Sequence, residues 1–299
     1  LWMNKIPVGW LNCHKCDILS VNPAFCRAKC TEIASKMLCC VGGEISRAKK
    51  GIMAPDSIVN LRDCGGLPAS DGRRLRYGRL YRAGDPSRTR AAARRQLQTL
   101  GLRTRVDLRS ARERRGHELP LAGVRTVHLP IALAELTRKR LRGLLLKRDA
   151  AEAIAAVMAS VYAEMVDLAI APLGALLQLL LDPRSYPVLI HCRAGKDRTG
   201  LACAVIQLAV GVTPEAILQD YLCSNDAVAL PVWLTALRLL SLGRFPTRNF
   251  EMLYAVQPRY LLAALERIGT VYGGVTAYLA RGGFPEGGLA RLQAQLLEG

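Results

Sequence analysis

Acidic and aromatic residues are scarce in this sequence. Asp and Glu number 24 against 42 Lys and Arg, which gives a formal net charge of +18. A charge of this sign predicts polyanionic partners: phosphate groups, nucleic acid or an anionic membrane surface. Aromatic residues make up only 5% and are not interleaved among the cations, as a single-stranded nucleic-acid surface would require. A nucleic-acid-binding function is therefore not indicated.

Long hydrophobic runs are also missing. The most apolar window, MVDLAIAPLGALLQLLL (165–181), contains Asp167, Pro172 and Gln178 and is short for a bilayer, so it predicts a buried helix. The first residues, LWMNKIPVGWLNCHKC, are interrupted by Asn, Lys, Pro and Gly, unlike a signal peptide. Cytoplasmic residence is the default expectation, and the oligomeric state stays open.

Cysteine is concentrated at one end of the chain. Six of the ten cysteines lie in the first 40 residues: Cys13, Cys16, Cys26, Cys30, Cys39 and Cys40. This predicts a basic, cysteine-rich extension over 1–52 and a catalytic domain over 53–299. The extension has three readings: a zinc site, a disordered segment, or sequence upstream of a start at Met53.

Strand and helix signals alternate from Asn60 onward. TRVDL (104–108), RTVHLPI (125–131) and YPVLIHC (186–192) read as strands. Helix starts are indicated at Asp85-Pro86, at the capping box Ser110-x-x-Glu113 and at Thr213-Pro214. Helices are also expected over 138–181, with a break near Pro172, and over 199–210. The alternation predicts an α/β fold with a mostly parallel central sheet flanked by helices.

The stretch HCRAGKDRTG (191–200) carries the chemistry. Its apolar strand delivers Cys192 to the carboxyl end of the sheet, and the loop from Arg193 to Arg198 leads into a helix. The backbone N–H groups of such a loop and the helix N-terminus form an anion cradle. Cations and a helix N-terminus lower the pKa of a thiol from about 8.5 to roughly 3.5–7.5, so we expect Cys192 to be a thiolate nucleophile.

The neighbours of Cys192 suit phosphoryl transfer. Arg198 offers a planar fork of donors for two phosphate oxygens, and Gly195 permits close backbone approach. Thr199 is expected to donate its hydroxyl to the Cys192 sulfur, which helps the thiolate to leave. His191 is expected to orient the loop by hydrogen bonding instead of acting as a base.

This loop resembles the signature of the cysteine-dependent protein tyrosine phosphatase superfamily. More narrowly, it is similar to the version in a bacterial tyrosine-protein phosphatase group that has a mycobacterial member. NLRDCGG (60–66), DGRRLRYGRLYRAGDPSR (71–88) and TRVDLRSARE (104–113) match further motifs of that group in order and spacing. The resemblance covers roughly 58–299. It departs from the group's motif at Leu61 and Cys64.

The resemblance implies a phosphatase that forms a cysteinyl-phosphate at Cys192 and needs no metal or cofactor. The implied phosphate-binding residues are Arg193, Ala194, Gly195, Lys196, Asp197 and Arg198. Asp107 matches the family's candidate general acid, and Asp197 is the rival. Three residues are expected to support the catalytic loop: Asn60, Arg62 and Asp63.

The resemblance also bears on substrates, partners and location. Lys196 within the loop resembles the arrangement in phosphatases that accept phosphoinositides, so phosphotyrosine and phosphoinositide substrates are both expected, with phosphoserine and phosphothreonine open. Contact with an anionic membrane fits the net charge. Export without an ordinary signal peptide occurs in the family.

A helical lid is implied from about Ala227 to Ala255, after QDYLCSN (219–225). The apolar face of this segment would either close over the pocket or belong to the ordinary core. This face comprises Leu230, Val232, Trp233, Leu237, Leu240 and Phe245.

Two other functions remain open from the residues. A phosphatase-like fold could bind phosphorylated partners without turning them over, although intact Cys192 and Arg198 argue against it. A redox enzyme could pair Cys192 with Cys203 or Cys223, because a thiol of low pKa is readily oxidised.

Overall fold

A computed structural model of the chain describes residues 58–89, 91–228, 231–242 and 244–299. The cysteine-rich extension, residues 1–52, its zinc hypothesis and Met53 lie outside the described residues. Seven strands are present in the described part: β1 (Arg62–Asp63), β2 (Arg74–Leu75), β3 (Leu80–Ala83), β4 (Thr104–Asp107), β5 (Arg125–His128), β6 (Val188–His191) and β7 (Leu297–Glu298).

Five of these strands form the central sheet, in the order β1-β3-β6-β4-β5. β6 pairs in parallel with both β3 and β4, β4 pairs in parallel with β5, and β1 is antiparallel to β3. The predicted mostly parallel sheet is thus confirmed. Ala83, Asp107 and His191 are in register at the carboxyl ends of β3, β4 and β6, so this edge of the sheet gathers the candidate residues.

Helices cover the sheet and extend the fold. In the described residues they are α1 (Ala91–Thr99), α2 (Ala111–Arg114), α3 (Ala134–Leu141), α4 (Ala151–Leu168), α5 (Ile170–Leu179), α6 (Arg198–Val210), α7 (Pro214–Leu222), α8 (Ser224–Ala227), α9 (Val232–Leu240), α10 (Thr247–Tyr254), α11 (Pro258–Tyr272), α12 (Val275–Arg281) and α13 (Gly288–Leu296). Two 3-10 helices, Pro86–Arg88 and Pro183–Ser185, precede α1 and β6.

The sheet separates two apolar clusters of unequal size. Val188 and Ile190 belong to the larger cluster, and Leu189 between them belongs to the smaller one. Side chains of a strand alternate between its faces, so a strand buried on both sides reads as a continuous apolar run. The run Val188-Leu189-Ile190 thereby places the residues that follow it at the centre of the molecule.

The predicted helix caps are found. Asp85 caps the 3-10 helix at Pro86, Ser110 and Glu113 form the capping box of α2, and Thr213 caps α7. The helical region predicted over 138–181 differs in two places: it is interrupted between Leu141 and Ala151, and its later break lies at Ala169 and not at Pro172. Pro172 lies in the first turn of α5, where a missing backbone N–H costs nothing.

In the described residues, no single helix combines the length and the apolar composition needed to cross a bilayer. One pair of helices, α4 and α5, reaches that threshold together but is bent by 61°.

Candidate active site

Cys192 lies at the carboxyl end of β6, the middle strand of the central sheet, and is 2% exposed. The chain then turns through residues 193–197 and enters α6 at Arg198. The predicted order of strand, loop and helix is therefore confirmed. Because the N-terminus of α6 carries unpaired N–H groups and a partial positive charge, the loop is suited to hold an anion.

Gly195 is required by the path of the loop. Its φ of +71° is a conformation that residues with a side chain rarely adopt, and an added Cβ would overlap the backbone of Ala83 on β3. The close approach of the loop to β3 depends on this glycine.

The carbonyl groups of the loop are bonded to the body of the protein. The Gly195 carbonyl accepts from Asn60 Nδ2 at 2.7 Å and from Arg82 Nη2 at 2.9 Å. The Arg193 carbonyl accepts from the backbone N–H of Asp85 at 2.9 Å. A loop whose carbonyl oxygens are held in this way can turn its N–H groups toward a bound phosphate.

A buried ion cluster supports these contacts from below. The Asp220 carboxylate accepts from Arg62 at 2.9 Å, Arg82 at 2.8 Å and Gln207 at 3.1 Å. Burial alone would raise the pKa of Asp220, but the two arginines outweigh it and lower that pKa to about 2. Arg62 also donates to the Asn60 side chain, so Asn60 and Arg62 both lie in the predicted support.

Asp63 has a different role from the one expected. Its carboxylate accepts from the backbone N–H groups of Gly65 at 2.8 Å and Gly78 at 2.7 Å. It therefore holds the turns that follow β1 and precede β3 instead of the catalytic loop. The physical reason is strand alternation, which points adjacent residues of β1 to opposite faces.

Arg198 is fixed by Glu113 of α2. Its two terminal nitrogens donate to the two carboxylate oxygens at 2.6 and 2.8 Å. Burial alone would raise the pKa of Glu113, but the bonds from Arg198 lower it to about 2. The pair leaves the remaining guanidinium donors of Arg198 available to an anion, in an orientation fixed by a planar bidentate contact.

Asp107 is enclosed by cations, and its side chain is 1% exposed. Arg109 donates to it from Nε at 3.0 Å, from Nη2 at 2.8 Å and from its backbone N–H at 3.0 Å. Arg114 Nε lies 3.4 Å away. Burial alone would raise the pKa of Asp107, but hydrogen bonds from Arg109 and the nearby His191 lower it. The carboxyl is thus held in its ionised form.

His191 is buried between the sheet and the loop. Burial lowers its pKa to about 4, against the opposing effect of Asp107, so the ring is neutral at neutral pH. Its Nδ1 lies 3.4 Å from the Cys192 carbonyl oxygen, and its Nε2 lies 3.8 Å from Asp107. These contacts fit an orienting residue at the base of the loop.

Asp197 and Lys196 lie on the other side of the loop. One Asp197 oxygen accepts from the Tyr162 hydroxyl at 2.7 Å and from Lys196 Nζ at 3.2 Å, and Tyr221 donates to Tyr162 at 2.8 Å. Lys196 Nζ also donates to the carbonyl of Leu253 in α10 at 2.9 Å. The Asp197 side chain keeps 22% of its surface exposed, far more than Asp107.

The hydrogen bond expected from Thr199 to the Cys192 sulfur is not formed. The Thr199 hydroxyl is buried and finds no hydrogen-bond partner among the residues that the structure describes.

The remaining loop residues and thiols are also placed. Arg193 is exposed, Ala194 is partly buried, and both contribute backbone to the loop. Cys203 is buried and Cys223 exposed, and both are free, as is Cys192.

The predicted lid segment forms α9 and α10, and α10 contacts the loop through the Leu253 carbonyl. The Asn225 side chain bonds both backbone groups of Val256, at 2.8 and 2.9 Å, which closes the base of the segment. The predicted apolar face is only partly correct: Trp233, Leu237 and Leu240 are exposed. Among the residues of α9 whose side chains the structure describes, Leu234 is the buried one. Leu230 and the side chain of Val232 lie outside the described parts.

Several residues of the site were missed by sequence reasoning. The sequence identifies Glu113 as part of a helix cap but does not reveal its ion pair with Arg198. Four others carried no signal, since they are remote in sequence from their partners: Arg82, Asp220, Ser224 and Tyr162.

Comparison with sequences of known proteins gives a consistent result. A model described as the tyrosine phosphatase family matches residues 53–298. A Cupriavidus necator protein named as a tyrosine-protein phosphatase is 34% identical over 228 residues, which are 76% of this chain and 82% of that protein. The triple specificity protein phosphatase PtpB of Mycobacterium tuberculosis is 31% identical over 260 residues, covering 75% of this chain and 92% of that one.

Solved structures resemble the chain more distantly. The core catalytic domain of the PP-IP phosphatase SIW14 from S. cerevisiae has 19% identity and a TM-score of 0.33, over 56% of this chain and 76% of that one. P. aeruginosa TpbA has 20% identity and a TM-score of 0.29, over 69% and 91%. At such scores the likeness adds nothing to the sheet topology described above.

Proposed function

This chain belongs to the tyrosine phosphatase family, and we propose that it hydrolyses phosphate monoesters without a metal, through a cysteinyl-phosphate on Cys192. One observation carries the proposal. Cys192 opens a glycine-containing loop that ends at the N-terminus of α6, where Glu113 fixes Arg198 by two hydrogen bonds. A nucleophile and a bidentate anion donor are thereby joined in one loop.

The first step forms a bond between the Cys192 sulfur and phosphorus while the bond from phosphorus to the ester oxygen breaks. The loop N–H groups and Arg198 bind the three equatorial oxygens in the planar arrangement that they adopt in the transition state. In the second step, water attacks phosphorus and the thiolate leaves. His191 takes no proton in either step, because its burial keeps the ring neutral and its nitrogens face backbone and Asp107.

The leaving oxygen needs a proton, and the site favours Asp197 over Asp107 as its donor. Asp107 matches the family motif, but a general acid must be protonated before it can act. Hydrogen bonds from Arg109 and the nearby Arg114 hold Asp107 in the ionised form. Asp197 lies in the loop itself, is partly exposed, is oriented by Tyr162 and meets one cation, Lys196 at 3.2 Å, where Asp107 meets two arginines. We assign the general acid to Asp197 and an anchoring role to Asp107.

Two substrate classes follow from the charge of the site, phosphotyrosine and phosphoinositides. Lys196 adds a cation next to the phosphate-binding loop, and the whole chain carries a charge of +18. Lys196 is hydrogen-bonded to Asp197 and to the Leu253 carbonyl. To bind Lys196, a second phosphate of the substrate would therefore have to replace the Leu253 carbonyl. M. tuberculosis PtpB, a relative at 31% identity, is named for triple specificity.

The test of the mechanism is hydrolysis of p-nitrophenyl phosphate, with EDTA present, by the wild type and by Cys192→Ser. Turnover that is unaffected by EDTA and abolished in Cys192→Ser supports the proposal. Rapid quenching with a phosphorus-labelled substrate should trap labelled protein only when Cys192 is present. Binding of phosphotyrosine or vanadate by a folded wild type without turnover would instead support the alternative, a phospho-ligand-binding module.

The phosphoinositide assignment is tested with Lys196→Ala. We expect a larger loss of kcat/KM for a water-soluble phosphatidylinositol bisphosphate than for a phosphotyrosine peptide, because the lysine would meet the additional phosphate. Lys139→Ala, on the exposed part of α3, is the matched control. Equal losses for both substrates would remove the lipid-specific role of Lys196.

A further inference from the structure

The end of α9 exposes three leucines that a folded protein would ordinarily bury. Leu239, Leu240 and Leu242 are 71%, 81% and 84% exposed, and we call these three residues the lid tip. Single exposed apolar side chains are common, but three within four residues at the end of one helix form an exposed apolar patch. The lid tip therefore calls for a partner that covers it.

Cations predominate in the segment that carries the lid tip. Residues 227–255 contain Arg238, Arg244 and Arg248 and a single acid, Glu251. All three arginines are exposed. A patch of exposed leucines with exposed arginines in the same segment matches the chemistry of an anionic phospholipid surface. In such a surface, apolar side chains enter the acyl boundary and cations stay among the headgroups.

The opposite side of the same segment is firmly packed, so the lid tip is not an unfolded end. Trp233 contacts Phe250 of α10 edge to face at 5.6 Å, and Phe245 stacks on Phe250 at 5.4 Å. Leu234 is buried beside them. The apolar side chains of α9 thus divide into a set that packs on α10 and a set that faces outward.

A fourth exposed leucine lies in a connection that is hydrogen-bonded to α10. Leu146, in the connection between α3 and α4, is 70% exposed and is followed by Lys147 and Arg148, both exposed. Asn249 of α10 donates to the carbonyls of Leu144, Leu145 and Lys147 at 3.2, 3.1 and 2.7 Å. Helix α10 therefore contacts both the segment that carries the lid tip, through Phe250, and this basic connection, through Asn249.

We propose that the lid tip and Leu146 form a docking surface for membranes that contain anionic phospholipids. A second copy of this chain is a poorer occupant, because it carries the same net charge of +18 and would be repelled. The inference rests on the proposed function in one respect: phosphoinositide substrates reside in such membranes. Docking couples to the loop because Leu253 of α10 accepts the hydrogen bond from Lys196.

The experiment measures sedimentation with sucrose-loaded vesicles, using full-length Cys192→Ser protein so that no substrate is consumed. Phosphatidylcholine vesicles are compared with vesicles that also contain phosphatidylserine. We expect binding to the second kind only. The variant with Leu239→Gln, Leu240→Gln and Leu242→Asn should lower the partition coefficient about tenfold or more. Asn suits position 242, where φ is +51°.

A second variant tests the charge. Replacing Arg238, Arg244 and Arg248 with Gln should weaken binding roughly fivefold per arginine. The matched control removes three other exposed arginines, Arg95, Arg103 and Arg291, and has the same net charge. Leu262→Gln on α11 is the control for a single exposed leucine. Both controls should bind as the parent does.

Three outcomes would overturn the proposal: no sedimentation with phosphatidylserine vesicles, equal loss in the arginine control, or a dimer in light scattering that the lid-tip variant converts to monomer. The proposed function is judged separately, by p-nitrophenyl phosphate hydrolysis in the presence of Cys192. A lid-tip variant with normal hydrolysis and no vesicle binding supports docking. Vesicle binding by a protein without hydrolysis would leave docking intact and refute the proposed function.

Discussion

At the scale of single residues, the orientation of Arg198 is the feature on which anion binding depends. Its guanidinium is buried, and a buried flexible cation needs a fixed partner to stay in one geometry. Glu113 supplies that partner while it also completes the capping box of α2. One carboxylate thus links a helix start to the catalytic loop.

We expect Glu113→Gln to lower kcat by about tenfold to a hundredfold, because Arg198 loses its ionic bidentate partner and no longer meets the transition state in one orientation. Steady-state kinetics with p-nitrophenyl phosphate measure the effect. Ser110→Ala is the control, since it removes the cap, at a cost of about 1 kcal/mol in unfolding free energy, and spares the ion pair. A Glu113→Gln enzyme with wild-type kcat would show that Arg198 needs no such partner.

The two aspartates of the site should respond differently to loss of charge. Asp197→Asn is expected to reduce kcat by about a hundredfold or more for phosphotyrosine and less for p-nitrophenyl phosphate, whose leaving group scarcely needs a proton. Asp107→Asn should instead lower the unfolding free energy by about 3 kcal/mol, because the buried Arg109 keeps Asp85 but loses the charge of its second carboxylate partner. If Asp107→Asn, and not Asp197→Asn, lowered kcat more for phosphotyrosine than for p-nitrophenyl phosphate, Asp107 would be the acid.

At the scale of elements, one buried carboxylate joins four of them. Asp220 of α7 binds Arg62 of β1, Arg82 of β3 and Gln207 of α6. Arg82 continues to the Gly195 carbonyl in the loop. The position of the catalytic loop is therefore determined by packing between strands and helices, and not by the loop's own sequence.

This cluster predicts how stability changes with acidification. The pKa of Asp220 is about 2 in the folded protein against an ordinary 3.8. A depressed pKa stabilises the fold above pH 4, and that contribution of about 2 kcal/mol should disappear as the pH falls from about 4 to 2. Arg62→Gln should shrink the loss, because it removes one of the two cations. Urea denaturation at several pH values measures it.

Arg73→Gln is the matched control for this prediction. Arg73 lowers the pKa of Asp71 by a hydrogen bond, but both side chains meet water, so its removal should change the dependence of stability on pH far less than Arg62→Gln does. Superimposable curves for the wild type and Arg62→Gln would mean that the cluster does not set the acid stability.

At the scale of the whole molecule, the excess of cations should affect the encounter with substrate. A chain with 42 Lys and Arg and 24 Asp and Glu attracts polyanions over several ångströms. This attraction acts on any polyanion, because the cations are distributed along the chain. The residues proposed to carry out the reaction are instead concentrated in one loop.

Salt should therefore separate substrates by their charge. Raising the ionic strength from roughly 0.05 to 0.5 M shortens the Debye length about threefold. We expect kcat/KM to fall about tenfold for a soluble phosphatidylinositol bisphosphate and much less for p-nitrophenyl phosphate. Parallel titrations with sodium chloride and potassium acetate exclude a specific effect of chloride. Equal salt dependence for both substrates would contradict electrostatic attraction.

Sequence alone determined the features that are local. A strand that ends in a cysteine, a loop of fixed length, a helix cap and an alternation of strands with helices are each encoded within a few residues, since turns and caps depend on neighbouring backbone groups. HCRAGKDRTG therefore predicted both the loop and the family. The same local character makes the resemblance at 60–66 and 104–113 readable without a structure.

Tertiary structure decided which residues surround that loop and what state they are in. Packing places Arg109, Arg114 and His191 around Asp107, which is the first candidate for the acid in the sequence. Glu113 and Arg198 are 85 positions apart and Asn60 and Gly195 are 135 apart. The pKa of a buried group depends on its three-dimensional neighbours, and the outward side of α9 depends on the helix that it packs against. Neither is encoded in spacing along the chain.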